Sequence, residues 1–251
     1  MANIQNPIVV LPARLASKRL PDKPLADIHG EPMIVHVWRR AVAADVGPVI
    51  VACAEAAIGE AIERAGGRWV LTRDDHQSGS DRVFEALRTV DPEGRHDVVV
   101  NVQGDLPTLA PEAVRAALLP LADAAADIAT LAARIEREEE IDDPHVVKVA
   151  MGLAPGAALG RALYFSRSPV PAGEGPYYHH IGLYAFRRAA LERFVGLSQT
   201  VLERREALEQ LRALEAGMRI DVALVDTVPV GVDTPADLAR ARELLAPGRG
   251  G

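Results

Sequence analysis

An apolar run that stops at a proline is the feature that most limits what this chain can fold into. Residues 8–11 read Ile-Val-Val-Leu and are followed by Pro12. A short continuous apolar run is typical of a strand that is covered on both faces, as in a parallel sheet. Pro12, Pro21 and Pro24 exclude a regular helix from the next segment. The sequence therefore predicts a buried first strand and a stiff, irregular loop at its carboxyl end.

This loop is strongly basic. Arg14, Lys18, Arg19 and Lys23 lie within ten residues, and the carboxyl edge of an open α/β sheet is where such folds bind ligands. Clustered cations suit a polyanion such as a triphosphate. A solvated basic turn is the alternative, but the prolines favour a preformed phosphate cradle. The segment matches neither the P-loop nor the GxGxxG pattern.

Strand and helix patterns alternate after the loop. Apolar residues recur at helical spacing over residues 33–44, short strands are predicted at 48–52 and 69–71, and a helix at 55–65 ends at two glycines. This βαβαβ order predicts an α/β fold with a Rossmann-like, mostly parallel sheet flanked by helices. No linker separates two domains, so we expect a single domain over residues 1–251. Further along, we predict one helix at 202–216 and disorder at 247–251.

The composition limits the partners. The net charge is -7, which argues against a general nucleic-acid or anionic-membrane surface and makes the basic loop a local feature for a small ligand. Cys53 is the only cysteine, which excludes an internal disulfide and fits a reducing cytoplasm. No apolar run is long enough to span a membrane, and residues 1–7 lack the pattern of a signal peptide. We therefore expect a cytoplasmic protein.

Three further segments suggest chemistry. Residues 72–82 form a polar stretch after the third strand whose groups could read a base edge, or it could be a surface loop. A continuous apolar strand at 97–102 leads into Gln103, Gly104 and Asp105, an arrangement that can deliver a divalent cation to a phosphate. The alternative role for Asp105 is to cap the next helix. Asp233 lies in a tight turn near the C-terminus, and the sequence alone does not bring it to Asp105.

Eight motifs, in this order, resemble the 3-deoxy-manno-octulosonate cytidylyltransferase (CMP-Kdo synthetase) family. They are IVVLPAR at 8–14, RLPDKPL at 19–25, DHQSGSDR at 75–82, NVQGD at 101–105, YFSR at 164–167, HIGLY at 180–184, LEQLR at 208–212 and GVDTP at 231–235. The resemblance implies transfer of CMP from CTP to the sugar acid Kdo with release of diphosphate, for lipopolysaccharide synthesis. It also implies a nucleotide-diphospho-sugar transferase-like fold and a homodimer. Residues 8–125 would mainly bind CTP, and residues 126–246 would mainly bind the sugar acid and form the dimer.

The same resemblance assigns site residues. Catalysis would fall to Arg14, Lys23, Asp105 and Asp233, with both carboxylates holding Mg2+. The CTP-binding set would be Arg14, Arg19, Lys23, Arg73, Gln77, Ser78, Gly79 and Asp105. The sugar-acid set would be Gln103, Arg167, His180, Tyr184, Glu209 and Gln210.

The sequence departs from the family pattern at a few positions, and two alternative functions stay open. Leu106 stands where many members have an acid, and Cys53 and Ala54 replace a common Thr-Asp pair. One alternative is CMP transfer to another sugar acid, of sialic or 8-amino-Kdo type. The other is a non-catalytic nucleotide-binding module, which the presence of Lys23, Asp105 and Asp233 disfavours.

Overall fold

The fold is described from a computed structural model that covers residues 6–17 and 19–246. The predictions for Lys18 and for residues 247–251 lie outside this range. Two compact units are present: residues 6–114 together with 229–246 form the first, and residues 115–228 form the second. The assignment of a single nucleotidyltransferase domain stays a prediction.

Eleven strands and nine α-helices occur in the described residues. The strands are β1 Pro7–Ala13, β2 Asp27–Ile28, β3 Glu31–Pro32, β4 Val49–Cys53, β5 Arg68–Leu71, β6 Val98–Asn101, β7 Ile128–Arg134, β8 Lys148–Gly152, β9 Leu159–Ser166, β10 Tyr178–Arg187 and β11 Ile220–Leu224. The helices are α1 Met33–Ala43, α2 Ala56–Arg64, α3 Gly79–Val90, α4 Pro111–Ala116, α5 Glu139–Asp142, α6 Arg188–Val195, α7 Val201–Glu206, α8 Leu211–Glu215 and α9 Pro235–Leu244. Short 3-10 helices cover Lys23–Leu25 and Leu119–Ala122. None of the helices in the described part of the chain has the length and apolar character needed to cross a bilayer.

The first unit contains a parallel sheet with strand order β5-β4-β1-β6. Strand β1 is central, and Val9, Val10 and Leu11 are completely buried, as the continuous apolar run predicts. Because all four strands run in the same direction, the segments that follow β1 and β6 emerge at the same edge of the sheet. This geometry brings the basic loop and Asp105 to one place.

Capping boxes define where two helices of this unit begin. Ser78 caps α3, with its hydroxyl accepting from the Asp81 backbone and the Asp81 carboxylate accepting from the Ser78 backbone. Thr234 caps α9 in the same reciprocal way with Asp237. Each box satisfies backbone N–H groups that the first helical turn leaves free, so both polar turns are held in defined conformations.

The second unit has a mixed sheet with strand order β10-β7-β11-β9-β8. Only the β7–β11 pair is parallel, and the remaining pairs, including an additional one between β10 and β8, are antiparallel. The α/β prediction is confirmed, but the whole chain is not mostly parallel. The physical reason is that β8, β9 and β10 follow one another without the crossover helices that parallel neighbours need.

The single helix predicted at 202–216 is wrong. Helices α7 and α8 are separated at Ala207, which has a left-handed backbone with φ 53°. Arg167 accounts for the break, because its guanidinium donates to the Glu206 carbonyl at 2.8 Å and to the Ala207 carbonyl at 3.3 Å. A continuous helix would use those carbonyls itself. The resulting turn leads directly into Glu209 and Gln210.

Candidate functional site

A cleft of about 840 Å³ opens at the carboxyl edge of the parallel sheet in the first unit. Its lining comes from the loop after β1, the start of α3, the segment after β6 and the turn before α9. It includes nine of the predicted site residues: Arg14, Arg19, Lys23, Gln77, Ser78, Gly79, Gln103, Asp105 and Asp233. Arg73 is not in this lining; its side chain is 68% exposed and pairs with Asp75.

Charged groups converge inside the cleft. The Lys23 ammonium lies 2.8 Å from Asp105 Oδ2 and 3.0 Å from Asp233 Oδ1, although these residues are 82 and 210 positions away in the chain. Arg19 forms a second ion pair with Asp233, at 2.8 Å from Oδ2. Burial acts to lower the pKa of Lys23, but the charges and hydrogen bonds of Asp105 and Asp233 outweigh it and raise the pKa. Lys23 is therefore a firmly protonated cation between two carboxylates.

Backbone contacts hold both carboxylates in place. The Val232 N–H donates to the Asp105 carbonyl at 2.9 Å, and the Asp233 N–H donates to the Asp237 carboxylate at 3.1 Å. Val232 is fully buried in an apolar cluster with Ile28, Met33 and Leu238. The turn that carries Asp233 is thus attached to the segment that carries Asp105.

Gly104 permits a close approach of backbone at this edge. A Cβ atom at this position would lie 2.9 Å from the Pro12 carbonyl oxygen and 3.1 Å from the Ile34 side chain. Because one of these neighbours is backbone, a larger residue would push the segments after β1 and β6 apart. The structure therefore requires a glycine beside Asp105 for the packing of these two segments.

The donor set fits a divalent cation that keeps most of its water. Asp105 and Asp233 already converge on one cation, the Lys23 ammonium. Magnesium is commonly held by one or two carboxylates plus substrate phosphates and water. Within residues 6–17 and 19–246, no group of three or more His, Cys, Asp or Glu residues forms a metal cage, so a fully protein-enclosed site is not built here.

The predicted sugar-acid residues lie mostly in the second unit, whereas Gln103 belongs to the first. His180 is buried, and its Nε2 lies 3.0 Å from Thr130 Oγ1, whose hydroxyl donates to the Leu183 carbonyl at 2.8 Å. The Thr130 oxygen therefore accepts from the His180 Nε2–H. Burial, with a smaller effect of His179, lowers the pKa of His180 to about 3, so this imidazole is neutral at physiological pH.

Tyr184 lies beside His180, and two further members of this set, Glu209 and Gln210, follow the turn at Ala207. The His180 and Tyr184 ring centroids are 5.6 Å apart, and burial followed by the charge of Glu209 raises the pKa of the Tyr184 hydroxyl above its ordinary value. Gln210 is buried, and no hydrogen-bond partner for its Nε2 exists among the described residues. A buried amide without a partner costs stability unless a ligand supplies one.

Arg167 is engaged with the protein itself. Besides the Glu206 and Ala207 carbonyls, its guanidinium donates to the Pro144 carbonyl at 2.9 Å. The Glu206 carboxylate accepts from the Ser166 hydroxyl at 3.0 Å, the Tyr164 hydroxyl at 3.2 Å and the Arg167 N–H at 3.0 Å. These contacts attach the end of β9 to the turn that leads into the Glu209–Gln210 pair.

Sequence reasoning assigned no role to His76 and Arg82, which also line the cleft. Both lie close in sequence to the Gln77-Ser78-Gly79 segment that was predicted to bind the base, and this proximity could have identified them. Glu55 is a further omission, since its carboxylate accepts from the Leu15 N–H of the basic loop at 3.0 Å.

The fold and the cleft define a class of protein. A parallel sheet that presents both cations and convergent carboxylates at its carboxyl edge is typical of α/β enzymes that bind nucleotide phosphates. The geometry therefore places the protein in the class of α/β proteins that handle nucleotide phosphates.

Comparison with known proteins identifies the family. Residues 8–220 match the family model described as "Cytidylyltransferase". A protein of Paramagnetospirillum magneticum named 3-deoxy-manno-octulosonate cytidylyltransferase is 66% identical over 239 residues, which cover 95% of this chain and 97% of that protein. A protein of Rhodospirillum centenum with the same name is 68% identical over 246 residues, which cover 98% and 96%. The chain belongs to the cytidylyltransferase family and, within it, to the 3-deoxy-manno-octulosonate cytidylyltransferases, which confirms the resemblance seen in the sequence.

Solved structures agree with this assignment. A CMP:2-keto-3-deoxy-manno-octonic acid synthetase complexed with CTP superposes with a TM-score of 0.88 at 40% identity, covering 96% of this chain and 99% of that one. A cytidylyltransferase from Leptospira borgpetersenii, only 13% identical, has a TM-score of 0.62 and covers 96% of this chain and 87% of its own. The second likeness concerns the fold alone.

Proposed function

We infer that the protein activates 3-deoxy-D-manno-octulosonate (Kdo) by transferring CMP to it from CTP. The anomeric hydroxyl oxygen of Kdo forms a bond to the α-phosphorus of CTP, the bond from that phosphorus to the bridging oxygen breaks, and diphosphate leaves. The hydroxyl proton is lost to the medium. The single observation that carries this inference is the convergence of Lys23, Asp105 and Asp233 in the cleft of a chain that is 66% identical to a 3-deoxy-manno-octulosonate cytidylyltransferase.

The basic loop supplies the phosphate-binding charges in this proposal. Arg14, Arg19 and Lys23 line the same cleft, and they neutralise the triphosphate and the charge that develops on the leaving diphosphate. Preorganised cations are effective here because they need no rearrangement during the reaction. Lys23 is the best placed of the three, since its side chain is only 15% exposed.

Asp105 and Asp233 would hold Mg2+. Their carboxylates already face a common cation, which is the arrangement that such an ion requires. When bound, the ion would neutralise phosphate charge and polarise the α-phosphate. The residues of the chain then have the task of orienting the triphosphate and keeping the two carboxylates together.

Base and sugar-acid recognition fall to polar side chains. We propose that Arg73, Gln77, Ser78 and Gly79 form the base-reading segment, with the Ser78–Gly79 pair at the start of α3 inside the cleft. In the second unit, we propose that the sugar acid is recognised by Arg167, His180, Tyr184, Glu209 and Gln210. The role of Gln103, which lies in the first unit, stays a prediction. Polar groups that bind several hydroxyls discriminate better than an apolar pocket does. The neutral state of His180 suits it to hydrogen bonding, and the buried Gln210 Nε2, which has no hydrogen-bond partner among the described residues, supports a polar ligand nearby.

We also propose a fold type for the first unit, an oligomeric state and a use for the product. The first unit would be a Rossmann-like, nucleotide-diphospho-sugar transferase-like nucleotide domain, as its parallel sheet suggests. Two copies would pair through the second unit, where Leu159 and Leu163 of β9 are exposed. The product would serve lipopolysaccharide synthesis in the cytoplasm. CMP transfer to another sugar acid and a non-catalytic module are not favoured by the named relatives.

Diphosphate release from the purified protein tests the proposal. The reaction contains Mg2+ and CTP, with Kdo, N-acetylneuraminate or 8-amino-Kdo as acceptor, and CTP is then replaced by UTP or ATP. We expect strong release only with CTP and Kdo, and its loss when the metal is chelated. Release that prefers another acceptor would reassign the substrate. No release with any acceptor, despite CTP binding, would refute the enzymatic role.

A further inference from the structure

The segment before α3 is anchored to that helix at both backbone groups of one residue. Glu85 of α3 accepts from the Arg73 N–H at 3.2 Å and 3.4 Å through its two carboxylate oxygens. Arg82 of α3 donates to the Arg73 carbonyl at 2.9 Å and also to the Thr72 hydroxyl. The beginning of the segment is thus held by two side chains from a single turn of helix.

Glu85 makes a second contact further along the same segment. Its Oε2 atom is hydrogen-bonded to His76 Nε2. The His76 side chain is only 8% exposed, and it lines the cleft beside Gln77, Ser78 and Gly79. One carboxylate therefore joins the anchored start of the segment to an imidazole in the cleft wall.

This contact determines which nitrogen of the imidazole can accept a hydrogen bond. A carboxylate is an acceptor only, so the proton must lie on Nε2. In the neutral ring the other nitrogen, Nδ1, is then an acceptor. Cytosine carries an exocyclic amino group that donates, whereas uracil carries a carbonyl oxygen that accepts at the same position. An acceptor with a fixed tautomer can therefore distinguish the two bases.

We propose that the Glu85–His76 pair determines base specificity: Glu85 is a positioning residue that fixes the His76 tautomer, and His76 favours cytosine over uracil. This inference rests on the proposed function in taking CTP as the ligand. It adds His76 to the base-reading segment and Glu85 as its support, and it predicts a preference for CTP over UTP.

Two variants and one control test this role. Glu85→Leu removes the acceptor, and Glu85→Gln keeps an amide oxygen that can still accept from Nε2–H. Glu63→Gln removes an equivalent charge from an exposed position on α2. The ratio of kcat/KM for CTP to that for UTP is measured with Kdo as acceptor, along with direct titration of each nucleotide without Kdo.

We expect the preference for CTP to fall roughly 10- to 100-fold in Glu85→Leu, with KM for Kdo unchanged. Glu85→Gln should retain most of the preference, and Glu63→Gln all of it. His76→Phe removes the Nδ1 atom that would accept from cytosine, so its loss of CTP preference should equal that of Glu85→Leu. Equal losses for CTP and UTP, with the preference intact, would overturn the specificity role and leave only a structural one.

A second readout does not depend on folding of the Glu85→Leu variant. Nitrogen-15 NMR of histidine-labelled wild-type protein, with the His76 signals identified from His76→Phe, reports the tautomer directly. A proton on Nε2 and none on Nδ1 is the expected result, and a proton on Nδ1, in either a singly or a doubly protonated ring, would overturn the proposal. If wild-type protein neither binds CTP nor releases diphosphate, the proposed function itself has failed, which is a separate result.

Discussion

Replacing Lys23 by methionine should change metal affinity and catalysis in opposite directions. In the structure the Lys23 ammonium fills the position between Asp105 and Asp233, at 2.8 Å and 3.0 Å from their oxygens. A divalent cation that binds both carboxylates without nucleotide must displace this ammonium. Methionine has a similar length and no charge, so the Lys23→Met variant removes the competing cation from Asp105 Oδ2 and Asp233 Oδ1, while Arg19 still pairs with Asp233 Oδ2.

The size of the effect follows from the exposure of the three groups. Asp233 is 49% exposed, so we discount its contact for solvent screening. Asp105 is 31% exposed and Lys23 only 15%, so their contact should have the ordinary value of a charged hydrogen bond, about 1.5 to 3 kcal/mol. This corresponds to metal binding that is roughly 10- to 150-fold tighter in the variant. Diphosphate release should fall by about 100-fold or more, because a preorganised cation is lost from the triphosphate site.

Paramagnetic titration with Mn2+ in the absence of nucleotide measures the metal affinity. Arg19→Met is the matched control, since it removes one positive charge from the same cleft and leaves Lys23 between the carboxylates. We expect it to change Mn2+ affinity by less than about threefold, as a pair of mostly exposed groups should. Equal tightening in both variants would indicate a general charge effect. Unchanged or weaker Mn2+ binding in Lys23→Met would refute the reasoning.

Three other variants test the structure in different ways. The pKa of His180 is about 3 in the folded protein and about 6.5 in the unfolded chain, so the unfolded chain binds one more proton between these pH values. Between pH 8 and pH 5 the free energy of unfolding of wild-type protein, measured by urea titration, should therefore fall by about 2 kcal/mol more than that of His180→Gln. Equal pH dependence would contradict the buried neutral state. Arg212 forms a buried ion pair with Glu203, so Arg212→Met should lower the free energy of unfolding in urea by about 3 kcal/mol. A loss below about 1 kcal/mol would show that the pair is not isolated from water. Gly104→Ala places a Cβ against the Pro12 carbonyl, which should displace the neighbouring Asp105 carboxylate and lower kcat by about 100-fold. An unchanged kcat would mean that this edge of the sheet is not rigid.

Local patterns predicted much of the first unit. The apolar run at residues 8–11 became the fully buried centre of β1, and the helix predicted at 33–44 is α1, Met33–Ala43. Strand β4, Val49–Cys53, is shifted by one residue from its prediction. These features depend on burial and on neighbours close in the chain, so the pattern of apolar and polar residues is enough to predict them.

Contacts between distant residues could not be predicted in this way. The break at Ala207 depends on Arg167, forty residues earlier in the chain, and no helical propensity near Ala207 signals it. The same holds for the meeting of Lys23 with Asp233. Sequence resemblance suggested that Asp105 and Asp233 belong to one site, but local sequence patterns do not predict contacts between residues so far apart in the chain. The Glu85–His76 pair was missed because Glu85 lies outside the polar stretch of residues 72–82 in which base-reading groups were predicted.

The order in which the chain is synthesised has a consequence for this enzyme. The first unit is interrupted after residue 114 and resumes at residue 229, and Lys23 waits for a partner 210 residues away. During translation, the parallel sheet and the basic loop can emerge from the ribosome well before Asp233 exists. A nascent or prematurely terminated chain therefore carries the cations of the cleft but lacks one of its two carboxylates. In such a fragment the proposed metal-binding pair of carboxylates is incomplete, so we expect no diphosphate release before residue 233 has been added.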